Sequence, residues 1–299
     1  MSELKNLLKN SKDNGIALVI GNGIHRYTQV ENTNSWDNLL ISLARSYNIN
    51  HDKIPTGITL PEFYDYLELK QTSQREHKGI LQQAFCRSML EWKPYSHHKY
   101  IVAWAKRKNN PILTTNFDTV LANAGNSELL HPKKKRFYFT DYYPWELYYG
   151  DGKIDRPDAG YGIWHINGMV RYPRSVKLGL THYIASTERA RGLIYNGDVR
   201  LLFSGNIADT WLYNIFHKPL LIFGLALQEN EVFFRWLLIE RAKYFSEFPE
   251  KRQDAWYVYV ESESEKSEGK GKKLFLEAVD IMPVKVGNYN DIYGEHIWI

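Results

Sequence analysis

Residues 16–20 read Ile-Ala-Leu-Val-Ile, an unbroken apolar run rich in β-branched side chains. A run this short, with no polar alternation, predicts a strand buried on both faces, as in a parallel sheet. The pattern recurs at residues 112–114, introduced by Pro111, and at 220–223. Residues 161–166, 255–260 and 281–286 read as further extended segments. Between them, apolar positions fall at helical spacing. Leu4, Leu7 and Leu8 predict a first helix, ended by Asp13-Asn14-Gly15. Residues 36–47 predict a helix with Ser35 as its N-cap, and Pro61 suits the first turn of one over 62–70. Residues 74–92, 96–108, 117–122 and 229–245 also read as helices, with a short one near 274–278.

Strands alternating with helices predict an α/β fold, a parallel sheet with helices on both faces. Residues 1–299 are expected to form a single domain. Within the mostly helical stretch from 36 to 108, a helical insert is expected over about 50–108. Residues 126–160 are aromatic and irregular, and a structureless loop of that size is uncommon inside a compact domain. The stretch is therefore expected to be a functional lid or an interaction surface. The basic run from Lys133 to Arg136 reads as a solvated face, and the Glu/Ser/Lys/Gly run over 261–273 as a mobile surface loop.

Composition narrows the function classes. The chain has 299 residues, 43% hydrophobic and 24% charged, as expected for a folded globular protein. Its one cysteine, Cys86, excludes an intramolecular disulfide and a four-cysteine zinc site. A formal charge of +4 is too small to indicate nucleic acid. The first residues carry no signal-peptide pattern, and no apolar run approaches the ~20 residues of a membrane span. A soluble, cytoplasmic protein is expected. The aromatic content is high, at 14%.

Four segments carry polar chemistry at the ends of predicted strands. Gly21-Asn22-Gly23-Ile24-His25 follows the first, where paired glycines serve either a tight turn or the close approach of a pyrophosphate to backbone amides. Thr114-Thr115-Asn116-Phe117-Asp118 follows the second, with more polar groups than a helix cap needs. An Asn amide there can hold a sugar hydroxyl or a water. His165-Ile166-Asn167-Gly168 offers an imidazole for proton transfer, or a turn. Phe223-Gly224-Leu225 is again a strand followed by glycine. No metal-ligand spacing occurs among the histidines.

Taken in order, these segments resemble the sirtuin-like superfamily, closer to its divergent bacterial members than to its protein deacylases. Residues 35–39, Leu180-Thr181-His182-Tyr183 and residues 229–241 also look like segments of that family. The resemblance implies a Rossmann-like fold with a helical insert that binds NAD+ as substrate. Gly21, Asn22, Gly23 and Ile24 would line the diphosphate. Thr115, Asn116 and Asp118 would sit at the nicotinamide ribose, with Gly224 and Leu225 near the adenosine half. His25 stands where the family usually has Ser, and would border the nicotinamide pocket. Asn167, in place of the family's His, precedes Gly168; His165 lies two residues earlier, on the same face of an extended strand.

Asn116 and His165 are then the expected catalytic pair of an NAD+ hydrolase, yielding ADP-ribose and nicotinamide. The single cysteine argues against the zinc-bearing deacylase branch, so no zinc is expected. The resemblance further implies an effector of anti-phage defence, a homo-oligomer or a target of a separate sensor or activator protein. A non-catalytic NAD- or nucleotide-binding subunit of a larger assembly is the alternative.

Overall fold

The computed structural model describes residues 3–10, 15–28, 34–71, 79–132, 140–197, 199–200, 202, 205–229, 231–261 and 263–299. The basic run from Lys133 to Arg136, the aromatics Phe137, Tyr138 and Phe139, the Asp13-Asn14 turn and the 74–78 part of an expected helix lie outside these residues.

Among the described residues the strands are β1 (Ala17–Ile20), β2 (Pro111–Thr114), β3 (Glu128–Leu130), β4 (Tyr148–Gly150), β5 (Gly162–His165), β6 (Tyr195–Asn196), β7 (Val199–Arg200), β8 (Leu220–Phe223), β9 (Ala255–Val260) and β10 (Met282–Val286). Eight form one sheet in the order β10-β9-β8-β1-β2-β5-β4-β3, while β6 and β7 make a separate hairpin. From β10 to β5 every pairing is parallel. Only β4 and β3 join antiparallel, at one edge. This is a mostly parallel, helix-flanked sheet of Rossmann-like α/β type.

The apolar runs form the centre because both faces of those strands are covered. Val19, Leu113, Trp164, Ile222 and Tyr257 pack against the helices Leu180–Ile194, Leu212–His217 and Val232–Glu247. Their neighbours Leu18, Ile20, Ile112, Ile163, Leu221 and Phe223 face the helices Glu3–Asn10, Ser96–Arg107 and Glu295–Trp298. One residue of phase separates the two cores, as the strand period of two requires.

A third apolar cluster lies outside the sheet. The helices Trp36–Ser46, Leu60–Gln71 and Ile80–Arg87 bury Leu40, Phe63, Leu67 and Phe85 against Phe117, Val176 and Leu178. Ser35 caps the first of them, accepting from Asn38 N–H at 3.2 Å. The insert therefore starts at Trp36 and ends before Ser96, not over 50–108. Helix Ser96–Arg107 belongs to the sheet because Ile101, Val102 and Ala105 complete the core beneath β1 and β2.

Three other expectations change. Residues 126–160 supply β3 and β4, with Trp145 and Tyr148 buried in the main core. Of their described aromatics, Trp145, Tyr148 and Tyr149 are buried as packing at the sheet edge, whereas Tyr142 is exposed. Residues 261–273 are helical from Glu263, within the helix Glu263–Ala278, consistent with the helix propensity of Glu and Lys. The helix expected over 117–122 starts only at Val120, because Asp118 Oδ1 takes the Val120 N–H at 2.8 Å and holds the preceding residues as a loop. Among the described residues no helix is long and apolar enough to cross a membrane.

Candidate functional site at the carboxyl edge of the sheet

The chain runs outward from β1 through β2 to β5, then returns to the other side of β1 as β8. Strand order reverses between β1 and β8, and open α/β sheets bind ligands outside the carboxyl ends at such a point. Gly21 and Gly224 emerge there. They pack backbone to backbone: a Cβ on Gly21 would lie 2.4 Å from the Gly224 carbonyl oxygen, and Gly224 itself has φ +68°. Glycine is required at both positions. Gly23 N–H donates to Gly224 O at 2.7 Å, Gly21 N–H to Phe223 O at 3.1 Å and His25 N–H to Asn22 O at 3.0 Å. Of the amides expected to cradle a diphosphate, those of Gly21, Gly23 and Ile24 are thus bonded within the protein, Ile24 N–H to Gly21 O at 3.4 Å. Leu225 is buried in the main core, and Ile24 in the opposite one.

After β2 the chain stays close to the sheet. Thr114 Oγ1 donates to Ile20 O at 2.9 Å and accepts from Asn116 N–H at 3.1 Å. This pins the phase of the next four residues. Thr115 and Phe117 face an open cleft. Asn116 and Asp118 turn the other way, into the protein, and are 1% and 3% exposed.

Behind that wall lies a buried polar relay. Tyr95 N–H donates to His98 Nδ1 at 3.1 Å, so the His98 proton sits on Nε2. That nitrogen is 3.1 Å from His25 Nδ1, and His25 Nε2 is 2.9 Å from Asp118 Oδ2. One chain of donors follows: Tyr95 to His98, His98 to His25, His25 to Asp118. Burial alone would raise the Asp118 pKa; the His25 imidazole and the Val120 N–H outweigh it and hold the carboxyl at about 2. Burial, then His25 and His97, push His98 down to about 2, so it is neutral at physiological pH. The Asn116 carboxamide abuts the relay, its Nδ2 3.1 Å from His25 Nε2 and donating to Gly21 O at 3.3 Å.

His165, at the end of β5, donates from Nδ1 to the Asn116 carbonyl at 2.8 Å. Its Nε2 therefore carries the lone pair. Burial lowers its pKa further, keeping the ring neutral. A neutral imidazole with one nitrogen fixed by a backbone carbonyl is the arrangement of a general base. Four buried polar atoms at this edge have no hydrogen-bond partner among the described residues: Asn22 Oδ1, Asn116 Oδ1, His165 Nε2 and Asn167 Oδ1. Native interiors satisfy nearly all such atoms, and those left over call for an explanation.

The adjoining cleft opens between the sheet edge and the insert. Trp36, Leu40, Phe85 and Phe117 give it an aromatic, apolar end; Thr115, Asn167, Lys177 and Glu231 give it a polar one. Of the expected site residues, only Thr115 reaches this cleft; Asn116, His165, His25 and Asp118 stand behind it. Lys177 and Glu231 are the residues that sequence reasoning missed. The signal for Lys177 was a lone lysine between Val176 and Leu178, both buried. Burial lowers its pKa to about 7 and raises that of Glu231 to about 7.

The cleft walls are tied together. Gly168 has φ +96°, and a Cβ there would lie 2.1 Å from Ser175 O, so the two loops meet backbone to backbone. Lys177 N–H donates to Asn167 O at 2.9 Å, and Val170 N–H to Phe117 O at 2.8 Å. From the insert, Gln82 Nε2 donates to Val176 O at 2.9 Å and Asp65 Oδ2 accepts from Leu180 N–H at 2.9 Å. No group of three or more His, Cys, Asp or Glu among the described residues is arranged to hold a metal ion. No family model matches the chain, and no curated protein matches it by sequence.

Proposed function

We propose that this protein is an NAD+ hydrolase of the sirtuin-like type, releasing nicotinamide and ADP-ribose. The observation that carries the reading is that Asn116, His165 and Asn22, each with a buried polar atom that has no hydrogen-bond partner among the described residues, gather at the carboxyl edge of a parallel sheet. In the reaction the C1′–N bond breaks and its electron pair leaves with nicotinamide. A water oxygen forms the new bond to C1′, and its proton passes to His165 Nε2. Asn116 Oδ1 accepts from the ribose hydroxyls or from that water. General-base help of this kind contributes ~10²–10⁴-fold.

Asn116 and His165 lie behind the cleft wall. The described arrangement suits a resting state that must open before substrate reaches them. Control by a second copy or by a separate sensor protein, and a role as a cytoplasmic defence effector, belong to this reading through the family resemblance. The same burial, with the Gly21, Gly23, Ile24 and His25 amides bonded internally, favours the second reading: a nucleotide-binding subunit without turnover.

The test incubates the full chain with NAD+, alone and with candidate activators, and follows nicotinamide and ADP-ribose. Hydrolysis by wild type, abolished in Asn116→Ala and reduced at least 100-fold in His165→Ala, is expected. Tight NAD+ binding without product under every condition supports the binding subunit. Activity equal in wild type and Asn116→Ala removes the proposed site.

A further inference from the structure

Lys177 is 4% exposed and lines the cleft. Its Nζ donates to the Tyr142 carbonyl at 2.9 Å and lies 4.4 Å from the centre of the Tyr143 ring. A carbonyl and a ring face stabilise a cation without neutralising it. No carboxylate among the described residues pairs with this ammonium, and burial is the sole cause of its lowered pKa. Glu231, the acidic group on the same cleft, is likewise perturbed by burial alone. The two do not neutralise each other.

An ammonium held out of water without a countercharge costs several kcal/mol. This one is also preorganised. Its backbone is bonded to Asn167, and the preceding carbonyl to Gln82 of the insert. The Gly21, Gly23 and His25 amides, meanwhile, donate within the protein. Among the described residues Lys177 is the only cation that lines the cleft.

We propose that Lys177 is the anion anchor of this cleft and pairs with the diphosphate of its ligand, the role first expected of the Gly21–Ile24 amides. The assignment rests on the nucleotide reading above for the identity of the anion. Trp36, Phe85 and Phe117 then form the surface against which a planar ring of the same ligand stacks.

Titration calorimetry on the full chain separates the two ideas, using ADP-ribose, inorganic pyrophosphate and adenosine against wild type, Lys177→Arg and Lys177→Met. The expected result is a loss of at least 10-fold in affinity for ADP-ribose and pyrophosphate in Lys177→Met, no more than 3-fold in Lys177→Arg, and unchanged adenosine binding. The Met variant should be at least as heat-stable as wild type, because an unpaired buried charge has been replaced by an apolar chain of similar length. Should it not fold, Lys177→Gln serves in its place. Wild-type affinity for ADP-ribose in the Met variant, equal losses for adenosine, or no anion binding by wild type overturns the anchor. Pyrophosphate binding that depends on Lys177, without ADP-ribose binding, keeps the anchor and removes the dinucleotide.

Discussion

His98 Nε2 sits 3.1 Å from His25 Nδ1, joining two buried imidazoles that are 73 residues apart in the chain. One belongs to the turn after β1, the other to helix Ser96–Arg107. The contact transmits a fixed tautomer to Asp118 and sets the ring against which the Asn116 carboxamide rests. His98→Leu removes the donor to His25 and the acceptor for Tyr95 N–H. The buried His25 Nδ1 left unpaired costs about 1–3 kcal/mol, so a loss of about that size is expected in urea unfolding. An unchanged midpoint would show that the relay does not form.

Acid should weaken the fold well before the carboxylates titrate. His98 is held down to about 2 by burial and its histidine neighbours, and His182 to about 4 by burial and then Lys177. Unfolded histidine titrates near ~6.5. With folded values below that, the unfolded chain takes up these protons first as pH falls. Stability is complete above about pH 6.5 and declines below it, by ~1.4 kcal/mol per pH unit for each histidine. His182 stops contributing near pH 4 and His98 near pH 2. Asp118, at about 2 when folded, adds a further loss below about pH 4. Urea midpoints at pH 7, 6 and 5 should fall steadily; a flat series contradicts neutral burial.

Two glycines should respond in opposite directions to alanine. Gly21→Ala places a methyl carbon 2.4 Å from Gly224 O and must push the β1 and β8 loops apart. A destabilisation of about 1–3 kcal/mol is expected, typical of overpacking. Gly192 lies inside helix Leu180–Ile194, and a Cβ there meets nothing within 4 Å. Gly192→Ala should stabilise by about 0.5–1 kcal/mol. Thermal unfolding of both variants checks the pair.

Trp145 distinguishes a core element from a lid. It is 2% exposed, edge-on to Trp211 with ring centres 5.5 Å apart. Trp145→Ala should cost about 3–5 kcal/mol. Deletion of residues 137–149, which removes Trp145 and the start of β4, should unfold the chain. A folded deletion variant with altered assembly would restore the lid.

Much of the fold was legible in local sequence. The runs 16–20, 112–114 and 220–223 became β1, β2 and β8 because continuous β-branched apolar stretches can only be buried on both faces. Gly21 and Gly224 at their ends marked the switch point, since two backbones meeting there leave no room for a Cβ. The helix from Glu263 runs through a stretch of Glu, Lys and Ser whose low complexity suggests a loop, although Glu and Lys favour helices.

The sequence by itself determined which polar residues arrive at the carboxyl edge: Asn22, Asn116, Asp118, His165 and Asn167 follow strands that hydrophobic patterning defines. Only the tertiary structure decided which way they face. A one-residue change of phase exchanges the cleft for the interior, and the Thr114 hydroxyl, bonded to Ile20 and Asn116, sets that phase. It turned Thr115 and Phe117 outward and Asn116 and Asp118 inward. Tertiary packing also made the His25–His98 pair and sank Lys177 into the cleft wall. These depend on contacts between distant segments, and local propensity carries no record of them.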